Sequence, residues 1–114
     1  MRVLICGGRQ YQDVGFLWKT MNHIHATQPI SEVIAGGAAG ADTLAASWAI
    51  ERGIPCRVFM VDRGKLGRSA GPIRNQKMLD QGKPDLVVAF PGERGTADMV
   101  RRARAAGVRI LQPS

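Results

Sequence analysis

The chain of 114 residues is long enough for one hydrophobic core and too short for two domains. Hydrophobic residues make up 45% of it, which excludes a disordered protein, and no apolar run approaches the ~20 residues that a membrane-spanning helix needs. The net charge of +7 favours an anionic partner, either nucleic acid or a small anionic ligand.

Predicted strands and helices alternate from one end of the chain to the other. Short apolar runs predict strands over 3–6, 32–35, 57–61, 86–90 and 108–111. Apolar residues at helical spacing predict helices over 14–27 and 41–52, a third from 71–72, and a fourth from 95–96 to 106. This alternation predicts an α/β fold: one Rossmann-like, three-layer domain with about five parallel strands and helices on both faces.

Single residues refine this outline. Asp13 is predicted to cap the first helix and Gly53 to end the second. The longest polar stretch, Asp62 to Ser69, is predicted to be a mobile loop that either is simply solvated or closes over an anion. Trp18 and Trp48 lie on predicted helix faces, which suggests a homodimer, although Trp48 also falls within the apolar face expected of a core residue.

Three glycine turns follow predicted strands. They read C-G-G-R at 6–9, A-G-G-A-A-G-A-D at 35–42 and P-G-E-R-G-T at 91–96. A turn that leads into a helix presents free N–H groups at the positive end of the helix dipole, which suits phosphate. Because ligands of parallel sheets bind at the carboxyl ends of the strands, the three turns are expected to converge on one site.

Two charged residues near predicted helix starts allow both a structural and a functional interpretation. Asp42 could stabilise its helix dipole, or it could accept a hydrogen bond from a sugar hydroxyl beside a bound phosphate. Arg74 is a cation at a helix N-terminus, which is mildly unfavourable by itself. We therefore expect Arg74 to contact an anionic ligand.

Several common sites are absent from the sequence. It contains no G-x-G-x-x-G dinucleotide motif, no phosphate loop of the G-x-x-x-x-G-K-[ST] type and no G-x-S-x-G nucleophile elbow. Cys6 and Cys56 are expected to be reduced core residues, and His23 and His25 diverge around a helix, so we predict no metal and no cofactor. Basic residues at 63–77 and 101–109 lack the interleaved aromatics of single-strand binders, which favours a small anion over nucleic acid.

Four ordered motifs resemble a known family. They are G-G-R-x-Y-x-D at 7–13, G-G-A-A-G-A-D at 36–42, A-G-P-I-R-N-Q-K-M at 70–78 and F-P-G-x-x-G-T-A at 90–97. Together they span nearly the whole chain and resemble the YspA-like (DUF2493) branch of the SLOG superfamily. The resemblance implies one Rossmann-like domain over 1–114. SLOG relatives include the LOG phosphoribohydrolases, which split base from ribose 5'-phosphate, as well as a DNA-binding branch and sensors of nucleotide-derived signals.

The last motif is similar to the LOG motif P-G-G-x-G-T-x-x-E, whose turn binds phosphate and whose final Glu is catalytic. By this resemblance, matching residues imply a phosphate site at Pro91, Gly92, Gly95 and Thr96. Arg74-Asn75 looks similar to the R-K of a LOG helix motif, which implies that Arg74 contacts the ligand.

The catalytic position departs from the LOG pattern. Glu93 replaces the second glycine, and Met99 replaces the catalytic Glu. Asp98 is one residue early, about 100° around the helix, so the LOG reaction is in doubt. If a reaction occurs, the candidate catalytic carboxylates are Asp98 and Asp42, with Glu93 in reserve.

The sequence therefore predicts a cytoplasmic module, expected to be a homodimer, that binds a nucleotide-derived ligand by its phosphate as a sensor or sequestering protein. The first alternative is a LOG-like N-glycosidase acting on a nucleoside 5'-monophosphate, and a weaker one is a DNA-binding protein that uses the arginine helix at 101–109. The predicted ligand-binding residues are Gly7, Gly8, Arg9, Gly36, Gly37, Gly40, Asp42, Arg74, Asn75, Pro91, Gly92, Gly95 and Thr96.

Overall fold

The computed structural model describes residues 1–61 and 63–113, with the backbone alone at 63 and 65. Within them, one parallel sheet holds β1 (Arg2–Cys6), β2 (Glu32–Gly36), β3 (Cys56–Phe59), β4 (Leu86–Ala89) and β5 (Arg109–Leu111). The helices are α1 (Val14–Thr27), α2 (Ala41–Glu51), α3 (Arg63–Leu66), α4 (Ala70–Gly82) and α5 (Arg94–Ala105). The predicted α/β fold with five parallel strands is confirmed.

Alternating side chains along the central strand build the two halves of the core. Val3 and Ile5 of β1 join the cluster that also holds Leu17 of α1 and Trp48 of α2. Leu4 and Cys6 face the other way, into the cluster under α4 and α5. Since successive side chains of a strand point to opposite faces, a strand buried on both faces must be apolar throughout. The three-layer arrangement is therefore confirmed.

The strand order β3-β2-β1-β4-β5 reverses its direction between β1 and β4. In the register of the sheet, Cys6 lies opposite Ala89, and Ile5 lies opposite Ala35. The carboxyl ends of β1, β2 and β4 are consequently level, and their following turns leave the sheet at the same edge. A reversal of this kind opens the crevice in which doubly wound sheets bind ligands.

The predicted start of α1 and the predicted end of α2 are also observed. Asp13 caps α1, because its Oδ1 accepts a hydrogen bond of 3.0 Å from the amide of Phe16. Gly53 follows α2 with φ +68°, a left-handed conformation that glycine adopts without steric cost. These local signals determined the helix ends as expected.

The polar stretch before α4 differs from its prediction. Instead of a loop, the described residues from 63 to 69 form α3 and a 3-10 turn, Gly67–Ser69, that leads directly into α4. Helical turns satisfy their backbone groups locally, so polar side chains need no partner for the segment to be ordered. Asp62, where the predicted loop begins, lies outside the described residues. The preceding strand is also shorter than predicted and ends at Phe59.

Trp48 does not reach the surface, so it cannot form the predicted subunit contact. It is 0% exposed, and its Nε1 donates a hydrogen bond of 2.9 Å to Asn22 Oδ1. The His25 ring lies edge-on to it at 6.0 Å, while His25 Nδ1 accepts from the amide of Ile30. Trp18 is partly buried at the margin of the same cluster. Among the described helices, none is long and apolar enough to cross a lipid bilayer.

Candidate functional site

The turns after β1 and β4 are joined backbone to backbone at the reversal of strand order. The amide of Gly8 donates to the carbonyl of Pro91 at 2.9 Å, and the amide of Phe90 donates to the carbonyl of Cys6 at 2.9 Å. A Cβ on Gly8 would lie 3.1 Å from the Pro91 oxygen and 3.2 Å from the Gly92 Cα. Contacts this tight leave little room for a side chain, so Gly8 is required by the neighbouring turn itself.

The turn after β2 packs onto the same place. The amide of Ala41 donates to the carbonyl of Gly8 at 3.1 Å. Gly40 has φ +76°, and a Cβ there would collide with the carbonyl oxygens of Gly8 and Arg9. A Cβ on Gly7 would lie 2.6 Å from the Ala41 Cβ. The three glycine turns therefore converge as expected, and the chain's own atoms fill the space beside Gly7, Gly8 and Gly40.

The first turn of α5 forms the exposed side of this arrangement. Glu93 stands at the N-cap but makes no side-chain hydrogen bond to the helix, and residues 91–95 are all exposed. The Thr96 hydroxyl lies against Gly92, and nothing lies within 4 Å of a Cβ built on Gly95. The first amides of a helix have no partner within it and carry the positive end of its dipole. This turn can accept an anion.

Arg74 and Asp42 meet beside Gly36, the last residue of β2. The Arg74 guanidinium lies against the Gly36 Cα, and Asp42 Oδ2 is 2.8 Å from the position that a Gly36 Cβ would take. Asp42 is 7% exposed and accepts a hydrogen bond of 3.2 Å from the amide of Ala38. Gly36 is thus the small residue that lets a cation from α4 and a carboxylate from α2 approach the same point.

Burial raises the pKa of Asp42 to about 6, and this effect exceeds the opposing influence of the Ala38 amide and of the Arg74 and Arg9 charges. The Asp42 carboxyl therefore titrates close to neutral pH. Burial also raises the pKa of Cys6 to about 12, with Asp42 adding to the shift and Arg74 opposing it. Cys6 therefore stays a thiol. Both cysteines are free, but only Cys6 is a buried core residue as expected, because Cys56 is half-buried at the margin of the core.

Asn75 connects the start of α4 to the start of α5. It is 4% exposed, and its Nδ2 donates to the carbonyl of Gly95 at 3.1 Å and to Asp98 Oδ2 at 2.9 Å. Its Oδ1 accepts from Arg74 Nε at 3.2 Å. A continuous set of hydrogen bonds thus runs from Arg74 to the backbone of the glycine turn that precedes Thr96.

Asp98 is held by cations on its own helix. Arg101 Nη2 donates to Oδ1 at 2.7 Å, and Arg102 Nε donates to Oδ2 at 2.8 Å. Burial tends to raise the pKa of Asp98, but the hydrogen bonds from Arg102 and Asn75 and the charges of both arginines outweigh it and lower that pKa. Met99, at the position of the LOG catalytic Glu, is 1% exposed and packs in the core below α5.

The other predicted ligand residues lie at the same edge. Gly37 is exposed and lies against the Met60 side chain, which is itself 71% exposed. Arg9 is exposed in the turn after β1. Among the described residues, no group of three His, Cys, Asp or Glu side chains could hold a metal ion.

Tyr11 is a residue of this edge that sequence reasoning did not assign. Its ring lies 5.4 Å from that of Phe90, and Phe16 meets Phe90 edge-on at 6.2 Å. The amide of Tyr11 donates to Gly8, while its phenol oxygen is shielded from solvent without a hydrogen-bond partner in the described part of the chain. The available signal was its place in G-G-R-x-Y-x-D, as the single tyrosine of the sequence.

Comparisons with known proteins support the family and the fold. The family described as "YspA, cpYpsA-related SLOG family" matches residues 1–65. The Gene 61 protein of Mycobacterium phage D29 is 33% identical over 118 residues, which cover 96% of this chain and 94% of that protein. DNA processing protein A (DprA) from Streptococcus pneumoniae has a similar structure, with a TM-score of 0.79 and 17% identity. That alignment covers 99% of this chain and 50% of the DprA chain, so this chain spans half of its length.

Proposed function

The chain belongs to the YspA, cpYpsA-related SLOG family, and on that premise we propose that it binds a nucleotide or nucleotide-derived ligand by its phosphate. It acts as a sensor or sequestering module. The observation that carries the proposal is the Gly8–Pro91 hydrogen bond of 2.9 Å, which joins two turns at the reversal of strand order beside the exposed first turn of α5.

In the proposed complex, the phosphate lies at the first turn of α5. Gly92 and the open space beside Gly95 admit it, and the Thr96 hydroxyl donates to it. Arg74 supplies positive charge, and its hydrogen bond to Asn75 orients it relative to the Gly95 carbonyl. Gly7, Gly8, Gly40 and Pro91 shape the turns that frame this position.

The sugar lies toward β2. Asp42 accepts a hydrogen bond from a ribose hydroxyl there, since its carboxylate stands beside Gly36 at the same edge as the phosphate turn. Gly36 gives Arg74 and Asp42 room to meet there, and Gly37 lies beside the exposed Met60 side chain. The positive charge of Arg9 also acts on Asp42 and tends to lower its pKa. One ligand could therefore contact all three turns.

A second candidate function is an N-glycosidase that acts on a nucleoside 5'-monophosphate. The observation that favours it is the buried Asp42, whose pKa of about 6 suits a general base near neutral pH. In this reaction water adds to the anomeric carbon and gives a proton to Asp42, while the glycosidic bond breaks through an oxocarbenium-like state. The nucleobase leaves with the electron pair of that bond and takes up a proton from solvent. Asp98 is less suited, because hydrogen bonds already engage both of its oxygens.

The deciding experiment incubates the protein with nucleoside monophosphates, ADP-ribose and NAD, and follows binding and released base in the same samples. Binding without release supports the sensor or sequestering function. Released base would establish the glycosidase and direct attention to Asp42. If neither binding nor release occurs with any of these ligands, the proposed function is wrong.

We also propose that the protein is cytoplasmic and forms a homodimer. The two free cysteines, Cys6 and Cys56, fit a reducing compartment. Trp18, which is only partly buried on α1, is the remaining aromatic available for a subunit contact. Sedimentation of the wild type and of Trp18→Ala would test the dimer. The proposal requires that the wild type has a larger mass than Trp18→Ala.

A further inference from the structure

The outer face of α5 carries a line of exposed arginines. Arg94 and Arg101 are seven residues apart, which places them on one side of the helix and about 10.5 Å apart along its axis. Arg104 is exposed next to them, and the small side chains of Ala97 and Ala105 separate the cations. The single acidic residue of α5, Asp98, lies beside these arginines at their inner margin, where it is 8% exposed and accepts a hydrogen bond from Arg101.

A groove between α4 and α5 extends this surface. It has a volume of about 670 Å³, and its lining includes the cations Arg68, Lys77 and Arg102. Gln76 lines this groove and connects its two sides. Its side chain accepts a hydrogen bond from Arg102 Nη1 at 3.0 Å and donates one to Asp80 Oδ1 at 3.0 Å. A second groove, of about 410 Å³, adjoins Arg101 and Arg102. Arg101 and Arg102 are therefore oriented by hydrogen bonds within the chain before any partner binds.

The surface formed by α5 and the groove beside it carries more arginine charges than its acidic residues can neutralise. Asp98 pairs with Arg101 and Arg102 together, so one carboxylate faces two guanidinium groups. Across the residues that the structure describes, Arg94 and Arg104 form no ion pair. An extended anion could contact several of these cations at once, which a single small anion could not.

We propose that α5 and the groove between α4 and α5, together the basic face, bind the phosphate backbone of double-stranded DNA. Among the residues that the structure describes, no aromatic side chain lines either groove, so this part of the face has no platform on which unpaired bases could stack. The spacing of Arg94 and Arg101 is close to the ~12 Å width of the B-DNA major groove, whereas the major groove of A-form RNA is narrow. Backbone contacts of this kind carry no sequence preference.

The test measures fluorescence anisotropy of a labelled 20-base-pair DNA duplex between about 50 and 200 mM KCl. If the face engages about three to four phosphates, the logarithm of the binding constant falls with the logarithm of salt with a slope near −3. Arg101→Ala/Arg104→Ala should reduce this slope by about two and weaken binding at least about tenfold at 50 mM KCl. Arg101→Lys/Arg104→Lys keeps both charges and should bind as the wild type does.

A matched control removes two cations elsewhere. Arg2→Ala/Lys19→Ala lowers the net charge by the same amount on β1 and α1, away from the basic face, and should bind DNA as tightly as the wild type. Equal weakening by both double variants would mean a general charge effect and would overturn the proposal. So would an absence of duplex binding at 50 mM KCl, or tighter binding of single-stranded DNA, duplex RNA or heparin than of duplex DNA. Circular dichroism of each variant checks that α5 remains folded.

Discussion

The guanidinium of Arg74 fills the space beside the Cα of Gly36, so the last residue of β2 and the second turn of α4 are in direct contact. Any larger residue at Gly36 would displace the cation. Because Arg74 also donates to Asn75, its position is determined from two sides. The positive charge that the sequence placed near a helix start is therefore held at the edge where the glycine turns meet.

Replacement of this cation tests the phosphate site. Arg74→Ala should weaken AMP binding by about 1.5–3 kcal/mol, because a charge-assisted hydrogen bond to phosphate is lost. Isothermal titration measures the change. Arg74→Lys retains the charge without the planar donor pair, so its affinity for AMP should lie between those of the wild type and Arg74→Ala. Lys77→Ala, on the exposed side of the same helix, is the matched control. Unchanged affinity in Arg74→Ala would remove Arg74 from the site.

Two glycines of one turn should respond differently to alanine. A Cβ on Gly92 would collide with the Thr96 hydroxyl and lie 2.7 Å from the amide nitrogen of Gly8, so Gly92→Ala should destabilise the fold by about 1–3 kcal/mol. Gly95→Ala meets nothing within 4 Å and should leave stability equal or higher by up to ~1 kcal/mol. Urea unfolding distinguishes them.

The same pair separates packing from ligand contact. If phosphate approaches the backbone at Gly95, the well-folded Gly95→Ala should still lose affinity for AMP, because its methyl group occupies that space. Full affinity in Gly95→Ala would place the phosphate elsewhere.

The raised pKa of Asp42 predicts a pH-dependent cost to stability. Its pKa moves from 3.8 to about 6 on folding, so between these values the folded chain holds a proton that the unfolded chain has released. The contribution of this group is thus full below pH 3.8, falls as the pH rises to about 6, and stays constant above. Asp42→Asn avoids this loss.

The advantage of Asp42→Asn over the wild type should accordingly grow between pH 4 and 6 and level off at about 2–3 kcal/mol at most. Urea unfolding of both proteins from pH 3.5 to 8 measures it. A difference that does not vary with pH would show that burial does not govern this carboxyl.

Asp98 should show the opposite pH dependence. Its pKa is lowered on folding, so its stabilising contribution is present above pH 3.8 and is lost as the pH falls through the folded value. Asp98→Asn should lower stability at pH 7 by about 1–2 kcal/mol, since partly exposed ion pairs with Arg101 and Arg102 are broken. Asp80→Asn, on the surface of α4, serves as control. Equal stability of Asp98→Asn and the wild type at pH 7 would contradict this role.

If released base is detected, the two carboxylates can be distinguished by turnover. Asp42→Asn should abolish release and keep AMP binding, because the amide cannot take a proton from water. Asp98→Asn should retain turnover under conditions where it is folded. The reverse result would transfer the catalytic role to Asp98.

The amino-acid sequence by itself determined five strands, four of the helices, the fold class and the edge at which a site could form. Helical and strand periodicity depends on residues a few positions apart, as do the Asp13 cap and the Gly53 stop. Once the strands are parallel, their glycine turns must share one edge. Periodicity alone did not identify α3, because a single polar helical turn has no apolar repeat.

Only the tertiary structure decided which neighbours these residues have. The pairing of β1 with β4, the contact of Arg74 with Gly36 and the hydrogen bond from Asn75 to Asp98 join residues more than 20 positions apart. It likewise gave two carboxylates near helix starts opposite pKa shifts. Burial raises the pKa of Asp42, whereas donors from two helices lower that of Asp98. Electrostatic free energies depend on distance and burial in three dimensions, and neither is encoded in local spacing.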